Sequence, residues 1–191
     1  EGAIKEVSEL LDKLVKAVKT AEGASSGTAA IGEVVADADA AKVADKASVK
    51  GIAKGIKEIV EAAGGSEKLK VAAATGENNK GAGKLFGKAG AGADANGDSE
   101  AASKAAGAVS AVSGEQILSA IVTAAGAADQ DGKKPEEAKN PIAAAIGDKD
   151  GGAEFGQDGM KKDDQIAAAI ALRGMAKDGK FAVKKDEKEK A

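Results

Sequence analysis

No cysteine, histidine, tryptophan or tyrosine occurs in the 191 residues. Without cysteine and histidine there is no disulfide, no thiol nucleophile, no Ser-His-Asp triad and no ordinary zinc or iron–sulfur ligand set. Phe86, Phe155 and Phe181 are all the aromatics, 2% of the chain. Bases and sugars therefore have little to stack on. Arg173 is the single arginine. Forked recognition of several phosphates or carboxylates would use more. No apolar run approaches the roughly 18–20 residues needed to span a bilayer. The 28 basic and 31 acidic residues leave a net charge of −3. They are interspersed, which excludes the one-sided basic face of a nucleic-acid binder. No cofactor, metal or enzymatic activity is expected.

What the chain has instead is alanine, 26 glycines and helical periodicity. Ile4, Val7, Leu10, Leu11, Leu14, Val15 and Val18 step by 3, 3, 1, 3, 1 and 3. That spacing predicts an amphipathic helix, ending near Gly23. Residues 28–44 read as a looser, alanine-rich helix. Val49, Ile52, Ile56, Ile59 and Val60 predict a third, closed by Gly64-Gly65. Its interior Gly51 and Gly55, four apart, predict a close helix contact, since each costs about 1 kcal/mol against alanine. Residues 75–98 read as an exposed, poorly packed loop with Leu85 and Phe86 as anchors.

Asp98 or Ser99 caps the next helix, and Ser113 with Gln116 has the pattern of a capping box before Ile117, Leu118, Ile121 and Val122. Pro135 suits the first position of a further helix, with Pro141 opening a second or kinking the first. A loop is expected over 148–159, then a helix from Asp163 and Asp164 through Ile166, Ile170, Leu172 and Met175. Asp178-Gly179 reads as a turn and Phe181–Val183 as a short strand. Lys184–Ala191 is a charged tail. The expected fold is all-α, a loop-rich bundle of about seven to nine helices in a single domain, with at most minor strands.

Three near-motifs fail on their details. Gly174 to Lys180 matches seven positions of a phosphate loop, but Phe181 stands where a magnesium-binding hydroxyl belongs, and the segment follows a helix. Asp94, Asn96 and Asp98 match three calcium-loop positions, but Ser99 and Ala105 replace the required glycine and glutamate. Asp148 and Asp150 fail similarly. The pairs Asp163/Asp164 and Glu136/Glu137 sit in expected first turns, where acids favour the helix dipole. Lys161-Lys162 and Lys184-Lys185 could touch an anionic host polymer such as a glycosaminoglycan, but interleaved acids make a solvated face the simpler reading.

Longer segments carry a family likeness. Residues 160–184, from Met160-Lys161-Lys162-Asp163-Asp164-Gln165-Ile166 through Ile170, Leu172-Arg173-Gly174-Met175, Lys177-Asp178-Gly179-Lys180-Phe181 to Lys184, resemble an invariable region of the variable large protein family of Borrelia surface lipoproteins. Residues 1–5, 50–60, 81–88, 115–122 and 134–147 resemble other segments of that family. The resemblance implies a non-enzymatic antigen that varies by cassette exchange and evades host antibodies, or alternatively a host-ligand adhesin. It implies a lipid anchor outside these residues, at the outer-membrane surface, so the chain is expected to be a cassette region of a larger protein. It marks 160–181 as a persistent framework segment. Around it, 29–49, 72–79, 89–98, 125–131, 148–159 and the tail after Lys184 would vary. Ile166, Ile170 and Met175 share one stripe and are expected to be largely buried.

Overall fold

The first apolar repeat winds into α1 (Gly2–Ser25) in the computed structural model, which describes residues 2–25, 32–36, 43–69, 71–87, 95–148 and 151–189. The helix runs two residues past Gly23, the expected stop, because Ala24 seats against Gly51 of α2 (Lys46–Ala62). A Cβ on Gly51 would lie 2.5 Å from the Ala24 methyl, and one on Gly55 would lie 2.6 Å from that of Ala21. The two glycines thus let antiparallel helices approach through a small-residue stripe, as their spacing predicts. Ala17 is the one buried residue of α1.

Asp45 caps α2, accepting from the Ser48 N–H at 2.7 Å. The inner face of α2 puts Val49, Ile52 and Ala53 into a core with Ile121, Ile142 and Leu172. Asp98 caps α3 (Ser99–Ser110), and both bonds of the Ser113/Gln116 capping box open α4 (Gly114–Ala125). Asn140 caps the buried α5 (Pro141–Ile146), with Pro141 in its first turn. A four-residue α6 (Asp158–Lys161) precedes α7 (Asp163–Met175). Seven α-helices among the described residues give the expected all-α fold. No single described helix is long and apolar enough to cross a membrane.

Three expectations need correction. Val34–Ala36, read as part of a helix, form a strand, β1, parallel to β2 (Phe181–Val183) in the register Val34↔Phe181. Two β-branched residues and a waiting partner outweigh the alanine propensity around them. Residues 28–31 and 37–42 of that expected helix lie outside the described residues. Within the expected loop, Lys80–Phe86 is a 3-10 segment with Gly81, Ala82, Gly83, Leu85 and Phe86 buried. Gly83 is pressed against the backbone of Ala153–Phe155, where a Cβ would meet Phe155 N at 2.7 Å. Glycine there serves close packing, not looseness. Pro135–Glu137 form a turn, not a helix. Asn140 must be extended to precede Pro141 and cap α5, which leaves too few residues for a helix before it.

The glycine pair makes a direct test. Gly55→Ala should destabilise the fold by about 1–3 kcal/mol despite alanine's better propensity, because the added methyl overlaps Ala21. Gly23→Ala, with open space around it, should stabilise by about 0.5–1 kcal/mol. Urea unfolding of both variants checks the contrast.

Candidate functional site

The segment 160–181, expected to persist as framework, centres on α7, which lies between two cores. Ile166 and Ala169 face one, with Phe86, Phe155 and Met160, while Ala168 and Leu172 face the other. A helix apolar on several sides belongs inside a fold. From Met160 to Phe181 the only fully exposed residue is Lys177. Ile166 is buried as expected, whereas Ile170 and Met175 are half-buried.

Arg173 is 1% exposed. Its Nε donates to the Lys180 carbonyl at 2.8 Å, and its NH1 donates to the carbonyls of Ala145 at 2.9 Å and Ile146 at 3.2 Å. These last two end α5, so one cation satisfies the terminal acceptors of a helix other than its own. Burial pulls the Arg173 pKa down to about 10, which still leaves it charged at neutral pH. The guanidinium lies 5.6 Å from the centre of the Phe86 ring. Phe86 in turn meets Phe155 and Phe181 edge-on, at 5.3 and 5.6 Å between centroids. All three aromatics and the single arginine therefore form one cluster. The sequence signalled Phe86 as an anchor but gave no sign of this convergence.

At the other end of α7, Asp163 and Asp164 are buried. Asp164 Oδ2 accepts from the Ala74 N–H at 3.1 Å, and Asp163 Oδ1 accepts from Asn79 Nδ2 at 2.9 Å. The Asp163 N–H donates to the Gly76 carbonyl at 3.1 Å. The acidic pair is thus structural: it fastens segment 72–79 onto α7. Other segments expected to vary are fastened too. Phe155 N–H donates to Lys80 O at 3.0 Å, and Asn96 Nδ2 donates to Gly152 O at 3.1 Å. Lys46, beside Asp131, holds that carboxyl below its usual pKa.

The near-motifs dissolve into the same frame. The Gly179 N–H donates to Ala176 O at 3.0 Å, and Asp178 has φ 59°, so Gly174 to Lys180 is a helix end and turn. Asp98 is spent as a helix cap. Asp94 and Asp150 lie outside the described residues. Lys161 pairs with Asp158 at 2.9 Å, while Lys184 and Lys185 are exposed. Among the described residues no group of three or more acidic side chains could hold a metal ion.

A buried, arginine-stapled helix packed among other helices, with no metal cluster among the described residues, defines a helical packing scaffold. Residues 1–191 match the family described as Borrelia lipoprotein, and the chain belongs to that family. It is 39% identical over 191 residues to Variable large protein 17 of Borrelia hermsii, and 38% identical over 187 residues to Variable large protein 4 of the same organism. These alignments cover 97% and 95% of this chain and 52% of each relative, so the chain spans about half their length. The crystal structure of the Lyme disease variable surface antigen VlsE of Borrelia burgdorferi matches with 94% identity and a TM-score of 0.95. That match covers 100% of this chain and 69% of the solved one. The family likeness, the all-α fold and the kinship to a surface antigen are therefore as the sequence implies.

Three substitutions at two positions probe this packing. Arg173→Met should cost about 2–4 kcal/mol, because three buried carbonyls lose a charged donor, and Arg173→Lys should restore only part of it. Equilibrium unfolding reads both. Asp164→Ala should leave the global fold in place while speeding hydrogen exchange across 71–79, since the Ala74 N–H loses its acceptor.

Proposed function

We infer that the chain is a surface antigen whose replaceable segments keep host antibodies off a constant interior. By this reading it belongs to a lipoprotein held at the outer-membrane surface, and its activity is antigenic variation and immune evasion, not catalysis. The observation that carries it is that Lys177 alone is exposed between Met160 and Phe181, with α7 packed between two cores and segments 72–79 and 148–159, which the family likeness marks as variable, fastened against its first turn and through Phe155. An antibody needs a patch of contiguous accessible surface, of the order of 800 Å² on each partner. A helix with Ile166, Leu172 and Arg173 inside offers no such patch.

The experiment compares antibodies raised against a peptide of residues 160–181 on two targets. They should bind the peptide and the urea-unfolded chain at least about 100-fold more tightly than the folded chain, a difference of roughly 2.7 kcal/mol. Equal binding to folded and unfolded protein would sink the shielding idea.

A further inference from the structure

Four asparagines occur in the chain, and Asn96 alone is followed by glycine. Asn78 precedes Asn79, Asn79 precedes Lys80, and Asn140 precedes Pro141. An Asn-Gly pair ordinarily signals a tight turn. Asn96-Gly97 is instead laid beside β2. Ala95 is buried with Val35 and Ala182, and the Gly97 carbonyl accepts from the Lys184 N–H at 2.8 Å. A Cβ on Gly97 would strike the Ala182 carbonyl, so the position is closed to larger residues. The Asn96 side chain is committed as well. Its Nδ2 donates to the Gly152 carbonyl at 3.1 Å, across 56 positions. That bond joins two segments, 89–98 and 148–159, that the family likeness marks as variable.

We propose that Asn96-Gly97 is a self-modifying site, closed while Asn96 holds Gly152, and that its reaction releases this hold. The Gly97 nitrogen attacks Cγ of Asn96. A new N–C bond closes a five-membered imide, the Cγ–Nδ2 bond breaks, and ammonia leaves with the proton of the Gly97 N–H. Water then opens the imide at either carbonyl. One opening leaves aspartate in a normal backbone. The other carries the main chain through the side chain, as isoaspartate. No oxidant, reductant or enzyme enters. The Gly97 nitrogen is approachable because no side chain stands beside it. Side chains crowd the nitrogens that follow Asn78 and Asn79, and Pro141 has no N–H to lose.

The fold holds the reaction back. To meet the Gly97 nitrogen, the Asn96 carboxamide must bend over its own backbone, which it cannot do while Nδ2 reaches across to Gly152. Ring closure therefore waits for local opening. Neither product regains the closed arrangement. A carboxylate has no proton for the Gly152 carbonyl and repels it. Isoaspartate also inserts a methylene ahead of Gly97, which displaces the carbonyl that Lys184 uses. Two surface segments thus change with no exchange of sequence.

Peptide mass spectrometry on the chain aged in mildly alkaline buffer, folded and in urea, tests the site. In urea, Asn96 should turn to acid well ahead of Asn78, Asn79 and Asn140. In the folded chain it should convert at least about tenfold more slowly than in urea. Hydrogen exchange, read on the converted fraction of the folded sample, should quicken at least about threefold across 151–154 and at Lys184, while α7 keeps its protection. Asn96→Asp should quicken 151–154 likewise. Equal conversion in folded and unfolded chains overturns the proposal, as does an Asn96 in urea no faster than Asn78 and Asn79. Unchanged exchange across 151–154 in the converted chain also overturns it. If Asn96→Asp fails to fold, the converted fraction of the unsubstituted chain decides alone.

Discussion

The buried guanidinium of Arg173 is the constraint on which the fold of the framework turns. It draws together the carbonyl end of α5, the chain entering β2 and the ring of Phe86. A charge so placed is costly to bury, and only a full set of acceptors around it makes the arrangement tolerable. Those acceptors come from elements far apart in sequence, so they must all be in place together. A small protein with few large side chains gains uniqueness this way. Alanine cores pack readily in many similar registers, whereas one planar cation with directional donors fits only one.

The same scarcity explains how the helices meet. Thin side chains bury little apolar area each, so stability depends on bringing backbones close. Gly51 and Gly55 do this between α1 and α2, and Gly83 does it between the 3-10 segment and Phe155. Glycine thus plays opposite parts along the chain. Gly147, at φ 76°, ends α5 with a turn that other residues resist. Gly83 and Gly55 instead fill positions where a methyl group has nowhere to go.

These two roles mark what the sequence could and could not tell. Wherever structure follows from neighbours within one helix, the residues announced it: the stripe of α1, the Gly51/Gly55 contact, the Asp98 cap, the capping box at Ser113 and the start of α7 at Asp163. Wherever it follows from distant partners, they did not. Two adjacent valines are too weak a local signal to mark Val34–Ala36 as a strand, because its register comes from Phe181–Val183. Gly81 and Gly83 look like loop residues until residues 153–155 are laid against them. Asp163 and Asp164 were rightly structural, yet their partners Ala74 and Asn79 lie some 90 positions away, beyond any spacing rule. Arg173 offered only its uniqueness.

The fastening of the outer segments bears on how such a surface can change. Segment 72–79 is tied to α7 through the backbone of Ala74 and Gly76, groups that nearly every residue type supplies. Side chains there can be exchanged while those bonds persist. Phe155 and Asn79 differ, because their side chains themselves make the contact. At Gly76 a Cβ would strike the Asp163 carboxylate, so the position is closed to larger residues for steric reasons. Variation in these segments is therefore not free at every position: it is cheap where backbone holds the loop and costly where a side chain or a bare glycine does. A framework that grips its cover mainly by backbone can accept new outer sequences without being rebuilt, which is the physical requirement for changing a surface while keeping a fold.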